Sequence, residues 1–412
     1  MKGKMKFHPL DILALLFILC GLLAAALVWR PGGGLGLTNL DNTFVFGAWI
    51  IADLTLIALG SAAFCTAVLY HLFKWDELRP LLPLSLAAGL LCYGSAGFIL
   101  LLEIGQPLRF WFPFRHPNFV SMLTEITFCI TLYSGILLLE FLPLLGGHAR
   151  FKKLPLFTSL RGRLLAAAPL LAVAGALVSL LHQGSLGGIY GVLSARPFAW
   201  RPGLGIWPWT CLLFIISAIS AGPLFMSLLA GIIEKAARVC ILSRAILDAL
   251  GRFAALCLGL GLLARTADLL LWIFWLLPEK GLSAAQMFHG AAFGKWLLGA
   301  ELGAFTLLPL LILSLPRLRC RRPFFFLAAV LACLGLLTNR YITNLQTMAV
   351  PTLPFEAWTS YHPNWIEIAP LLLTAGLFYL SLRFLYRQGL LGRFAGQSGE
   401  SKGAGQTGRQ TL

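Results

Sequence analysis

The sequence predicts an all-α polytopic membrane protein of about ten transmembrane helices: two parallel-repeat four-helix bundles plus two flanking helices, with both ends in the cytoplasm. Three observations predict it. Of 412 residues, 58% are hydrophobic and only 12% charged, with a mean hydropathy of +0.84; a soluble domain carries about a quarter charged residues. So little polar surface cannot cover one aqueous core, and lipid must be the solvent. The apolar residues come in unbroken runs of about 20 rather than ten-residue alternations, which selects helices over a barrel. Finally, connections on the N-terminal side carry 23 Lys and Arg, those on the other side 7, and Arg265 and Lys295 lie inside helices. That bias obeys the positive-inside rule. The net charge of +16 therefore reports topology rather than nucleic-acid binding.

The first span, 10–29, follows Lys2, Lys4 and Lys6 as a signal peptide would. It is long for one and lacks a small-residue cleavage site before Trp29-Arg30-Pro31, so it is read as a retained helix. Spans at 44–72, 81–102, 119–142 and 163–182 make the first bundle; spans at 206–231, 252–277, 289–315 and 323–338 make the second. The last span, 366–387, flanks them. The divisions that follow are 1–43 (first helix and loop), 44–205, 206–338, 339–390 (loop and last helix) and a disordered cytoplasmic tail, 391–412. Loops near 103–118, 183–205 and 339–365 are rich in Pro, Trp and Arg and read as ordered docking segments. A faint repeat supports the two bundles. Gly47-Ala-Trp49-Ile-Ile-Ala-Asp53 opens the second span and Gly205-Ile-Trp207-Pro-Trp-Thr-Cys211 the sixth. Each is followed by a small-residue patch, Gly60-Ser-Ala-Ala and Ser217-Ala-Ile-Ser-Ala-Gly, of the kind that lets helices approach closely.

Ionisable residues inside a membrane are costly, and each is a functional candidate. Asp53 and Glu125 lie about two turns below the periplasmic end of their spans, while Glu103 and His182 close theirs at that face. Arg109, Trp111, Arg115 and His116 follow in a loop able to cap them. Acid groups and an imidazole beside aromatic rings suit a quinone, whose ring needs an apolar slot and whose oxygens need donors and protons. The expected catalytic set is Glu125, Asp53, His182 and Glu103, and the quinone-binding set adds Trp49, Arg109 and Trp111. Plainer readings stand beside these. Glu103 could be solvated or paired with Arg109, His182 could be an interfacial cap, and Trp49, Trp111, Trp200, Trp207 and Trp209 fit an aromatic belt.

In the second bundle Arg265 and Asp268 share a helix face, with Lys295 and Glu301 on the next span. They fit either a structural ionic network or a proton pathway continued by His71 and Glu140 toward the cytoplasm. The nine cysteines form no cluster spacing, so no metal site is expected. None of the seven His lies mid-membrane or forms a pair suited to haem, and no flavin motif occurs. Electrons must then come from another subunit.

The run Leu102-Glu103-Ile-Gly105-Gln-Pro107-Leu-Arg109-Phe-Trp111 resembles the acidic-x-Gly-x-Pro-x-Arg signature of the NrfD/PsrC family of respiratory membrane subunits. Pro117-Asn118 through Glu125, and Leu181-His182-Gln183-Gly184-Ser185-Leu186-Gly187, are similar to the same family, in its ten-helix branch. The resemblance implies a subunit without redox cofactor of its own that binds menaquinone near the periplasmic face of the first bundle. It also implies a periplasmic ferredoxin-like iron–sulfur subunit, a molybdopterin-type subunit or multihaem cytochrome c, and a bacterial inner-membrane location. Glu103, Arg109 and His182 match motif positions; Asp53 and Glu125 are added from depth. Where the family often has His or Asn near the start of the second span, this chain has Trp49 and Asp53. The expected function is a quinone-reacting subunit of a respiratory oxidoreductase, a menaquinone reductase-like activity. A secondary transporter and a non-catalytic membrane anchor are the alternatives.

Overall fold

The computed structural model describes residues 8–146, 155–204, 207–289, 294–350 and 358–391. Among them, nine helices are long and apolar enough to cross a membrane, and a shorter apolar helix, Ala300–Ser314, makes a tenth. In chain order these are α1 (Pro9–Trp29), α2 (Ala48–His71), α3 (Leu82–Glu103), α4 (Met122–Gly146), α5 (Pro155–Gly191), α6 (Trp209–Ala237), α7 (Arg244–Glu279), α8 (Ala300–Ser314), α9 (Arg322–Ala349) and α10 (Trp365–Arg387). The expected tail beyond 391 lies outside the described residues, as does 351–357 of the loop before α10.

Local chemistry sets the helix starts. His8 and Asp11 cap α1 reciprocally, with Pro9 at the first position. Asn364 and Glu367 form the same box at α10, and the Ser243 hydroxyl accepts from Ile246 N at 3.3 Å to open α7. Arg238, at φ +56°, reverses the chain after α6. A two-residue hairpin, Gly203–Leu204 with Trp207–Pro208, precedes α6.

Helices α2, α3, α4 and α5 pack in a cycle, each on its sequence neighbour and α2 on α5. Helices α6, α7, α8 and α9 form a second cycle in the same way. The cycles meet where α6 lies on α2 and α5 and where α9 crosses α2; α1 and α10 pair with each other beside α2 and α3. The small-residue patches of α2 and α6 face one another at this seam. The Ser61 hydroxyl donates to Ala218 O at 2.7 Å, and a Cβ on Gly222 would lie 2.0 Å from Ser61 Oγ. Helix α2 is interrupted at Gly60–Ser61, while the matching stretch of α6 is continuous. Two π-helical segments, Trp272–Leu276 in α7 and Ala300–Leu307 in α8, follow Asp268 and contain Glu301; such segments widen a helix, often at functional positions.

Four expectations are corrected. The stretch 183–191, expected as loop, is the last part of α5. His182 therefore does not close a helix: it sits nine residues, or about 13 Å at 1.5 Å per residue, inside it. The ninth span runs to Ala349 rather than 338, so Arg340 is helical and fully buried instead of a loop residue. Trp49 is 1% exposed, its indole N–H donating to Glu367 O at 2.9 Å, so it belongs to the core and not to an interfacial belt. Glu103 forms no ion pair with Arg109, whose side chain is exposed.

Candidate functional site

The end at which α1 begins is called the near end and the opposite one the far end. Going down from the far end of the first cycle, Glu103 closes α3, and Asp53 lies in the second turn of α2, 4% exposed. The two carboxyls are within electrostatic reach of each other. Neither Asp53 Oδ1 nor Glu103 Oε2, both buried, has a hydrogen-bond partner. Deeper, His182 on α5 is 1% exposed, with its ring centroid 5.6 Å from that of Tyr93 on α3. Tyr93 lies 4.6 Å from the ring of Tyr133 on α4, and its hydroxyl is 3.1 Å from Ser179 Oγ. Gln183 donates to Ile57 O at 2.9 Å, next to the kink in α2. His182 Nδ1, Gln183 Oε1 and Tyr133 OH are buried without a partner. Unpaired polar atoms are costly in a low dielectric; here several converge on aromatic rings within one helix bundle.

Glu125, in the first turn of α4, is half-buried and faces Ser185 of α5 and Cys211 of α6. It stands at the α4–α5–α6 junction rather than beside Tyr93. Arg109 and Trp111 lie exposed on the far-end loop, amid further exposed apolar groups such as Leu108, Phe110 and Phe119. They follow Glu103 in the chain and lie at the surface, whereas Asp53 Oδ1 and Glu103 Oε2 are buried. At the near end His71 and Glu140 are half-buried, His71 stacking edge-on against Tyr70 at 4.7 Å.

The second cycle holds a continuous ionic chain. Arg201 grips Asp268 with two donors, at 2.6 and 3.2 Å. Arg265 donates to the same carboxylate at 3.0 Å and lies 3.6 Å from Glu301. Glu301 accepts from Asn339 at 2.6 Å, and Arg340 donates to Asn339 Oδ1 and Ser217 Oγ, each at 2.8 Å. The Arg340 guanidinium stacks 3.5 Å above the Phe214 ring and, among the described residues, has no carboxylate within ion-pair distance. Of the expected set, Arg265, Asp268 and Glu301 are thus brought together, while the side chain of Lys295 lies outside the described ones. Two cavities, of about 70 and about 20 Å³, adjoin the chain and share Leu213, Arg265 and Asn339 in their walls. A polar cavity of that size has room for water.

Tyr190 joins the two assemblies. Its hydroxyl donates to Asn344 Oδ1 at 2.6 Å, and Asn344 Nδ2 donates to Phe46 O at 2.8 Å, so α5, α9 and the entrance to α2 are tied at one point. Sequence reasoning missed Tyr190, Asn344, Arg340, Arg201 and Gln183, because all fall where an apolar run had ended. It also missed Glu367, which is 1% exposed and bonded to the Tyr361 hydroxyl and, at 3.1 Å, to Asn39 N. Glu367 lies inside an expected span and answers to the same rule that picks out Asp53. Burial pushes the Tyr361 phenol, outside the spans, above its ordinary range, so it remains a donor to Glu367 at neutral pH. No group of three or more side chains suited to a metal ion occurs among the described residues.

Comparison with known proteins adds the relationships. The profile of the family described as Polysulphide reductase, NrfD matches residues 36–349. The chain is 41% identical over 355 residues to the menaquinone reductase, integral membrane subunit, of Nitratidesulfovibrio vulgaris, covering 86% of this chain and 85% of that one. It is 32% identical over 193 residues to the probable Ni/Fe-hydrogenase 2 b-type cytochrome subunit of Escherichia coli, covering 45% and 46%. To a selenate reductase subunit of Mesobacillus selenatarsenatis it is 22% identical over 377 residues, covering 85% and 84%.

Proposed function

The chain belongs to the Polysulphide reductase, NrfD family, and from that premise we propose that it is the quinone-reacting membrane subunit of a respiratory oxidoreductase complex. The observation that carries the reading to residues is the cluster of buried, partnerless polar atoms on Asp53, Tyr133, His182 and Gln183, set against the Tyr93 and Tyr133 rings. Reducing a quinone to a quinol takes two electrons and two protons. The Tyr93 ring, inclined 64° to that of Tyr133 and 60° to that of His182, makes with them an aromatic bed, and His182 Nδ1 and the Tyr133 hydroxyl would meet the quinone oxygens. Asp53 and Glu103 supply or accept protons from the far side, and Glu125 does so from the α4–α5–α6 junction. Arg109 and Trp111 belong to the entrance rather than the bed.

In this reading the far end is periplasmic and the membrane is the bacterial inner one. The quinone is menaquinone, as in the name of the Nitratidesulfovibrio relative. Electrons pass to or from a periplasmic ferredoxin-like iron–sulfur subunit, backed by a molybdopterin-type subunit or a multihaem cytochrome c. The exposed aromatic loop after Glu103 is the surface offered to such partners. The unit 44–205 carries the quinone site, and the second unit, with Arg265, Asp268, Lys295 and Glu301, the path for any proton movement, His71 and Glu140 serving the cytoplasmic end.

The test is menaquinone-linked turnover of the purified complex. Glu125→Gln and His182→Ala are each expected to lower it at least tenfold, since a positioned acid–base group contributes about 10²–10⁴-fold. Wild-type turnover in both would sink the site assignment. Extraction of bound quinone together with an iron–sulfur partner separates this reading from a transporter or a bare anchor.

A further inference from the structure

We propose that the groove between the near ends of α6 and α9 binds one anionic phospholipid. A cavity of about 630 Å³ opens there, walled by Leu228, Gly231, Ile232, Phe326 and Val330; ligand sites commonly span about 300–1,000 Å³. The groove exists because α6 carries a glycine where α9 carries a large ring. A Cβ at Gly231 would lie 2.5 Å from Phe326 Cζ, so the ring lies directly on the α6 backbone and leaves open space beside it. Ile232 and Val330 are 65% and 43% exposed, which makes the walls a surface for acyl chains.

The rim has the opposite character. Arg322 is locked in place: it donates to both oxygens of Glu234, at 2.8 and 3.2 Å, and to Leu242 O at 2.7 Å. Glu234 is itself buried and held by the backbone N–H groups of Ile241 and Leu242 at 2.5 and 2.6 Å. Its charge is thereby engaged by Arg322. Lys235, the next residue, is exposed, lines the same cavity and has no carboxylate within ion-pair distance among the described residues. Arg238 and Arg321, also exposed, stand close by in the sequence. In the groove itself one engaged carboxylate thus stands with two cations, Arg322 and Lys235. An apolar slot with a fixed cationic mouth complements a lipid phosphate with no cation of its own. A choline or ethanolamine headgroup would bring a positive charge against the rim, and a quinone would find no free acid or hydroxyl there.

The test uses the intact complex, stripped of loose lipid in detergent and incubated with phosphatidylglycerol, cardiolipin or phosphatidylcholine before native mass spectrometry. The wild type is expected to retain phosphatidylglycerol or cardiolipin and release phosphatidylcholine. Lys235→Glu, which reverses one exposed charge, and Val330→Trp, which fills the slot, should each lower retention of the anionic lipid on the order of tenfold. Lys235→Glu alters an exposed side chain and keeps the test alive if the Trp variant does not fold. Unchanged retention in Lys235→Glu, equal binding of phosphatidylcholine, or recovery of quinone from the groove overturns the proposal. Turnover is not the readout, so the result stands apart from the quinone assignment.

Discussion

Asp268 shows how much one buried carboxylate can carry. It is 1% exposed and pairs with two arginines from different parts of the chain, Arg201, which has no other carboxylate partner among the described residues, and Arg265, which it shares with Glu301. Removing one partner of a buried ion pair leaves an unsolvated charge and costs about 3–5 kcal/mol. Asp268→Asn should therefore lower the melting temperature of the purified protein in detergent by several degrees, and Asp268→Glu should recover part of the loss. A variant that melts with the wild type would show that water, not Asp268, satisfies the arginines. At this scale the sequence is a good guide wherever an ionisable residue stands inside an apolar run, as Asp53, Glu125, Arg265 and Glu301 do. It is a poor guide to Arg201 and Arg340. Arg201 follows an aromatic, Pro-containing loop stretch and Arg340 follows Thr338-Asn339, and nothing local tells a buried guanidinium from a solvated one.

For the helices, existence is legible in the sequence and extent is not. The expected end of α5 falls at 182 because Gln183, Gly184, Ser185, Gly187 and Gly188 read as a turn. The structure uses the same residues for close packing. A Cβ on Gly184 would lie 2.4 Å from the Trp207 ring, and one on Gly187 the same distance from Thr210 O. The glycines remove bulk so that α5 can reach α6, and this leaves no sequence signal distinct from that of a loop. The same principle fixes the seam between α2 and α6. Gly222→Val should force the helices apart at Ser61, where a Cβ would already sit 2.0 Å from the hydroxyl and 2.6 Å from Ala62 N. The expected outcome is loss of folded protein in fluorescence-detected size exclusion. Ser61→Ala forfeits one hydrogen bond, worth about 0.5–1.5 kcal/mol, and should still fold. Equal yields from both variants would mean that the seam tolerates separation.

Across the whole molecule, the basic residues set orientation. Burial of Arg201 and Arg340 removes two cations from the far-end surface and sharpens the asymmetry. A fluorescent-protein fusion after residue 391 should glow, and alkaline phosphatase inserted at 110–116 should be active, placing the near end in the cytoplasm. The reverse pattern would move the quinone site to the other face. The pairing of α1 with α10 has a consequence for biogenesis. A Cβ on Gly21 would lie 2.3 Å from Leu373 Cβ, one on Gly376 would lie 2.6 Å from Ala14 O, and Asp11 pairs with Arg383. Helix α1 thus has its main protein neighbour in a helix made more than 300 residues later. Until translation passes α10, Trp365–Arg387, α1 must wait in lipid with its glycine face uncovered.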